Sequence, residues 1–148
     1  MTTIDKVLFT GKTHTTYGRV PTAADHGNVN LALSAPGHAD LDQQFTAVAA
    51  HPTAEQLFAG AWSACYITAI GLIASQKRVT LPADTSVDIE VDLGQSGAAW
   101  LLAARFEVRI PGLPQDVAEK LARAAHEICP YSKAVKGNID VAVNVTTS

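Results

Sequence analysis

Cysteine is scarce in this chain: two residues in 148. So few cannot form the disulfide framework of a small secreted scaffold, and with 47% of the residues hydrophobic a packed core needs no such staple. In a reducing compartment a lone pair of this kind is either two inert core thiols or a transient, catalytic disulfide. Basic residues are also few. The 11 Lys and Arg are scattered, and the net charge is -3, which leaves no electrostatic stripe for a nucleic-acid backbone. The opening stretch MTTIDKVLFTGKTHTTYGR lacks the charged start and apolar run of a signal peptide. No uninterrupted apolar run approaches the ~20 residues of a membrane-spanning helix. The expectation is one soluble, cytoplasmic domain over residues 1–148, with no nucleic-acid partner and no membrane span.

Several catalytic signatures are missing as well. The histidines, at positions 14, 26, 38, 51 and 126, form no metal-ligand run; His126 and Cys129 stand three apart, but a second ligand pair is lacking. GAWSA is not a Gly-x-Ser-x-Gly elbow, so Ser63 reads as a small packing residue. Neither common Gly-rich phosphate loop occurs, which argues against a nucleotide or flavin. With no metal or bound cofactor expected, any chemistry must come from side chains.

What is present is a series of periodic segments. Residues 5–15 and 28–34 alternate apolar and polar positions and read as strands, joined by a Gly- and Pro-punctuated loop carrying Arg19. Residues 35–52 show no sustained period and read as a connection. Residues 52–78 give the strongest helical signal: Thr53 and Gln56 have capping-box spacing, and apolar positions run almost all the way round. Such a helix is buried on most sides, at the centre of a domain or in an oligomer interface. Gly60 and Gly71 are its weak points, each costing ~1 kcal/mol relative to Ala. SVDIEVDL sets Val87, Ile89 and Val91 against Asp88, Glu90 and Asp92, a half-buried strand that forms a hairpin with AAWLLAARFEVRIPG. Residues 115–129 place Val117, Leu121, Ala124, Ala125 and Ile128 at helical spacing, stopped by Pro130, and GNIDVAVNV reads as a last strand. The class is α+β, helices on largely antiparallel sheet.

Cys65 lies mid-helix in GAWSACYITA. Free cysteine is among the most buried residue types, so an inert thiol is the plain reading. A reactive one needs its pKa brought below ~8.5, and apolar surroundings shift it the wrong way unless a cation stands beside it. Arg19 is the candidate cation; taken alone it is a solvated loop residue. Glu55, in the first helical turn, complements the helix dipole, or it pairs with Arg19 and aims it at Cys65. Distance constrains the second account. The ten-residue interval from Glu55 to Cys65 is ~15 Å of rise in an unbroken helix, so the helix is broken near Gly60, a long Arg bridges the gap, or the groups come from two subunits. Cys129, just before Pro130, is a buried helix-end residue or a redox partner, the latter only if it lies within disulfide reach of Cys65.

The stretches AEQLFAGAWSACYITAI and CPYSKAVKGNIDVAVNV, in this order and spacing, resemble the organic hydroperoxide resistance branch of the OsmC/Ohr family through most of the chain. The resemblance implies a peroxidatic cysteine at Cys65, a resolving cysteine at Cys129, and an activating pair at Arg19 and Glu55. It further implies an intertwined homodimer with antiparallel sheets around long central helices. The implied substrate is an organic hydroperoxide, which Phe58, Trp62 and Tyr131 would suit as apolar neighbours. No cofactor is bound; the external reductant is a lipoyl-type dithiol on a lipoylated protein, served by its dehydrogenase. Lys133 and Lys136 depart from the Asn and Arg expected there without touching the four roles. Residues 35–50 depart from a short Gly-rich stretch, with a consequence for the substrate entrance. Rival readings are a non-enzymatic redox sensor of the same fold and an acyl-binding domain with two inert thiols.

Overall fold

A computed structural model describes residues 3–17, 31–33 and 51–148. The elements run β1 (Lys6–Thr16), α1 (Ala54–Gln76), β2 (Ser86–Ser96), β3 (Ala99–Arg109), α2 (Gln115–Ile128), α3 (Pro130–Val135) and β4 (Asp140–Thr146). The strands form one sheet in the order β1-β2-β3-β4. β1 and β3 flank β2 antiparallel, whereas β4 joins β3 in parallel. The sheet is largely antiparallel, as expected from the sequence, with one parallel pairing that the sequence pattern does not announce. The reason is the crossover: after β3 the chain passes through α2 and α3 before returning, and a helical crossover delivers a parallel neighbour where a tight hairpin cannot.

The β2–β3 hairpin closes with Ser96 opposite Ala99, and Gly97 in the turn takes a left-handed φ of 57°, which a glycine adopts without steric cost. One sheet face carries Val87, Ile89, Val91, Ala104, Phe106 and Val108, all buried with the inner sides of α1 and α2. The other carries a charged ladder in which Lys12 and Arg105 pair with Glu90, and Arg105 with Asp92. The sequence pattern sets Asp92 on the solvent side of its strand; it keeps that face but is buried, covered by Arg105 and Thr10.

α1 is unbroken from Ala54 to Gln76, and Thr53 and Gln56 form the reciprocal capping box that their spacing announces. Gly60 does not interrupt it. Gly71 has a packing reason, because a Cβ there would meet the Tyr17 ring at 2.8 Å. By length and composition α1 could cross a membrane, but half of its most apolar stretch is buried within the protein, and Trp62 and Tyr66 on it hydrogen-bond to α3 and α2. It is built as a core helix. α2 buries Ala118, Leu121, Ala122 and Ala125 while Ile128 is exposed, a seam turned away from the one read from the sequence. The Tyr66 hydroxyl, donating to the Ala122 carbonyl at 2.8 Å, fixes that orientation. Pro130 ends α2 as expected, and it also opens α3 at the first turn, where its missing N–H costs nothing and its fixed φ suits a helix start.

Of the strand expected over 28–34, only residues 31–33 are described, and they are not in a strand. The rest of it, the loop bearing Arg19 and the segment 35–50 lie outside the described residues.

Candidate active site

The middle of α1 presents Cys65 half-buried, and the junction of α2 and α3 presents Cys129 fully buried. The two elements cross so that the Cys129 thiol donates to Cys65 Sγ at 3.1 Å. Both sulfurs are free thiols, and a bond of ~2.05 Å between them requires only a short approach. Spacing along the chain leaves disulfide reach open; the fold supplies it. Cys129 belongs to neither helix body. Its backbone is extended (φ -60°, ψ 120°), its N–H bonds back to Ala125 and its carbonyl accepts from Lys133.

Burial first, and second the sharing of the Cys65 proton with the neighbouring Cys129 sulfur, push the Cys65 thiol up to about 11, while the Tyr131 backbone N–H pulls the other way. A thiol in that state is protonated at neutral pH, so a thiolate at Cys65 calls for a cation. Burial also raises the Tyr66 phenol, with the Cys129 sulfur adding to the shift. His126, one turn before Cys129, has its pKa pushed down by burial first and by Lys136 second, its ring edge-on to Tyr66 and Phe106.

Glu55 lies in the first turn of α1. The continuity of α1 removes the helix break near Gly60, one of the expected routes for Glu55 to reach Cys65. Gly11, which the sequence reading passes over, sets how β1 meets this turn. A Cβ on Gly11 would meet Gln56 N at 2.6 Å and Glu55 at 2.7 Å; a lone glycine in an alternating strand is the signal that announces such a close approach. Trp62 is not at an open entrance, contrary to the expectation that it faces substrate. It is fully buried, edge-on to Phe106 at 4.8 Å, because its indole N–H finds the Ser132 hydroxyl inside the core. Phe58 is half-buried beside it and Tyr131 is exposed. Cavities of about 470 Å³ between α2 and β4 and about 450 Å³ between β1 and the first half of α1 are lined by neither cysteine.

The family model for OsmC-like protein matches residues 47–144, which include both cysteines. The chain belongs to the OsmC/Ohr family, in its organic hydroperoxide resistance branch. It is 33% identical over 149 aligned positions to an organic hydroperoxide resistance protein of Xanthomonas axonopodis pv. citri, covering 98% of this chain and 99% of that one. Among solved structures, an organic hydroperoxide resistance protein from Legionella pneumophila superposes with a TM-score of 0.69 at 32% identity, over 96% of this chain and all of that one. One from Elizabethkingia anophelis gives 0.71 at 26% identity, over 98% of this chain and all of that one. The fold is thus the α+β fold of the OsmC/Ohr proteins.

Proposed function

We propose that this OsmC/Ohr protein is a cytoplasmic thiol peroxidase that confers organic hydroperoxide resistance by reducing alkyl, aryl or fatty-acid hydroperoxides to alcohols. The observation that carries the reading is the 3.1 Å approach of the two thiols, in a chain whose relatives are named for organic hydroperoxide resistance. Cys65 attacks the distal peroxide oxygen; the alkoxide leaves, takes a proton and departs as the alcohol, and Cys65 becomes a sulfenic acid. Cys129 then condenses with it, forming the disulfide and releasing water. A lipoyl-type dithiol, carried by a lipoylated protein and kept reduced by its dehydrogenase, reopens the disulfide by exchange.

Arg19 supplies the cation that Cys65 requires, and Glu55 orients Arg19. A second copy of the chain completes the site in an intertwined homodimer. Supporting this, α1 leaves Ala61, Ala64, Thr68 and Leu72 exposed along one side, the same side on which Cys65 is half-buried. An apolar helix with such an open strip, small at Ala61 and Ala64, can pack against its own copy.

The test is anaerobic stopped-flow with cumene hydroperoxide and with hydrogen peroxide, on wild type and Cys65→Ser. Fast oxidation by cumene hydroperoxide that disappears in the variant is the expected result. Comparable second-order rates for the two peroxides would overturn the substrate preference, and an unreactive wild type would overturn the peroxidase reading.

A further inference from the structure

Cys65 sits on a continuous helix, but Cys129 sits at a joint. Its extended backbone between α2 and α3 is the place in this region where the chain could hinge and carry the sulfur away. Two side chains of α1 prevent that. Tyr66 donates to the Ala122 carbonyl at 2.8 Å and ties down α2. Trp62 donates from Nε1 to Ser132 Oγ at 2.9 Å and ties down α3. Trp62 and Ser132 are both buried, at 0% and 2% exposure, so no water competes for the bond. Trp62 precedes Cys65 by three residues and Ser132 follows Cys129 by three. The hydrogen bond therefore ties the two cysteine-bearing turns together, and the indole is itself wedged between Phe58 and Phe106.

We propose that Trp62 and Ser132 are positioning residues for the resolving step: their hydrogen bond keeps Cys129 against Cys65, so that the oxidised sulfur is captured before a second peroxide reaches it. For its role in peroxide reduction this inference rests on the peroxidase reading; as a statement about thiol geometry it does not. In the captured path the Cys129 thiolate attacks Cys65 sulfur, the S–S bond forms, the S–OH bond breaks, and the hydroxide released becomes water with the proton lost from Cys129. In the competing path the sulfenate of Cys65 attacks the distal oxygen of a second hydroperoxide, whose O–O bond breaks to give a sulfinate and a second alcohol.

Ser132→Ala, Trp62→Phe and the double variant test the clamp, with Ser132→Thr as the conservative replacement that keeps the hydroxyl. In glutathione redox buffers, the effective concentration of Cys129 toward Cys65 should fall about tenfold in Ser132→Ala, the weight of one buried hydrogen bond. The double variant should be no worse than the more affected single one, because the pair acts as a unit. Ser132→Thr should recover most of the loss. Under excess cumene hydroperoxide, Ser132→Ala should also divert Cys65 to sulfinate, read by mass analysis, while wild type stops at the disulfide. An effective concentration unchanged in both Ser132→Ala and Trp62→Phe overturns the clamp, whatever the peroxide rates. A fall in effective concentration in a protein whose wild type ignores peroxide upholds the clamp and overturns the peroxidase reading instead. If Ser132→Ala fails to fold, Trp62→Phe, which keeps a large aromatic in the core, carries the same measurement.

Discussion

Cys129 donates to Cys65 across 3.1 Å, although one thiol belongs to the middle of a helix and the other to the joint between two more. Neither thiol must be uncovered by unfolding for a bond to form. One equivalent of cumene hydroperoxide should therefore convert the free pair to an intramolecular disulfide, seen by non-reducing mass analysis as the loss of two hydrogens. Cys65→Ser should lower peroxide consumption about a thousandfold or more. Cys129→Ser should still react once and stop at the sulfenic acid, trapped by dimedone. An intermolecular disulfide as the main product would rule out the two-cysteine cycle within one chain.

Burial first, and hydrogen bonding with the Cys129 sulfur second, raise the Cys65 thiol to about 11. If Arg19 activates it, the pH dependence of iodoacetamide alkylation in a Cys129→Ser background should show a midpoint below the free-thiol value of ~8.5. Arg19→Ala should move that midpoint upward, and Glu55→Gln should move it part of the way. An identical midpoint with and without Arg19 would assign the activating cation to another residue.

Gly11 admits the first turn of α1: a methyl group in its place would lie 2.6 Å from Gln56 N and 2.7 Å from Glu55. Those atoms are mainly backbone and cannot swing away. Gly11→Ala should cost ~1–3 kcal/mol of stability in urea melts. It should also displace Glu55 and slow peroxide reduction, whereas alanine at exposed Gly112, ahead of α2, should leave the peroxide rate alone. Full activity and stability in Gly11→Ala would mean that β1 and α1 separate without consequence.

Asp92 is pulled in two directions. Burial raises its carboxyl, but hydrogen bonds from Arg105 and Thr10 outweigh this, and the net shift is downward. A carboxyl lowered by folding contributes stability that is complete above its unfolded value of ~3.9 and is lost as the pH falls through the folded value. Wild type should therefore lose stability below about pH 4. Asp92→Asn should be weaker at neutral pH by ~1–2 kcal/mol, a moderate figure because Arg105 is half-exposed, and should fall off less steeply in acid. Parallel acid profiles for the two proteins would remove Asp92 from the pH dependence.

The sequence by itself determined most of the elements and the family. The Thr53–Gln56 box fixes where α1 starts, and the unbroken apolar run fixes its length. Alternation fixes the faces of β2 and of the second half of β3, and the two cysteines stand in motifs specific enough to identify the family. These are local properties, set by capping, periodicity and residue type over a few neighbours. Tertiary structure alone decided the rest, because it depends on how elements approach one another. The parallel pairing of β4 follows from a crossover, not from the pattern of GNIDVAVNV. The seam of α2 follows from where Tyr66 grips it, and the burial of Asp92 from an arginine on the neighbouring strand. The 3.1 Å between Cys65 and Cys129 is of the same kind. It comes from α1 crossing the α2–α3 joint, with Trp62 and Ser132 closing the contact, and no spacing along the chain encodes it.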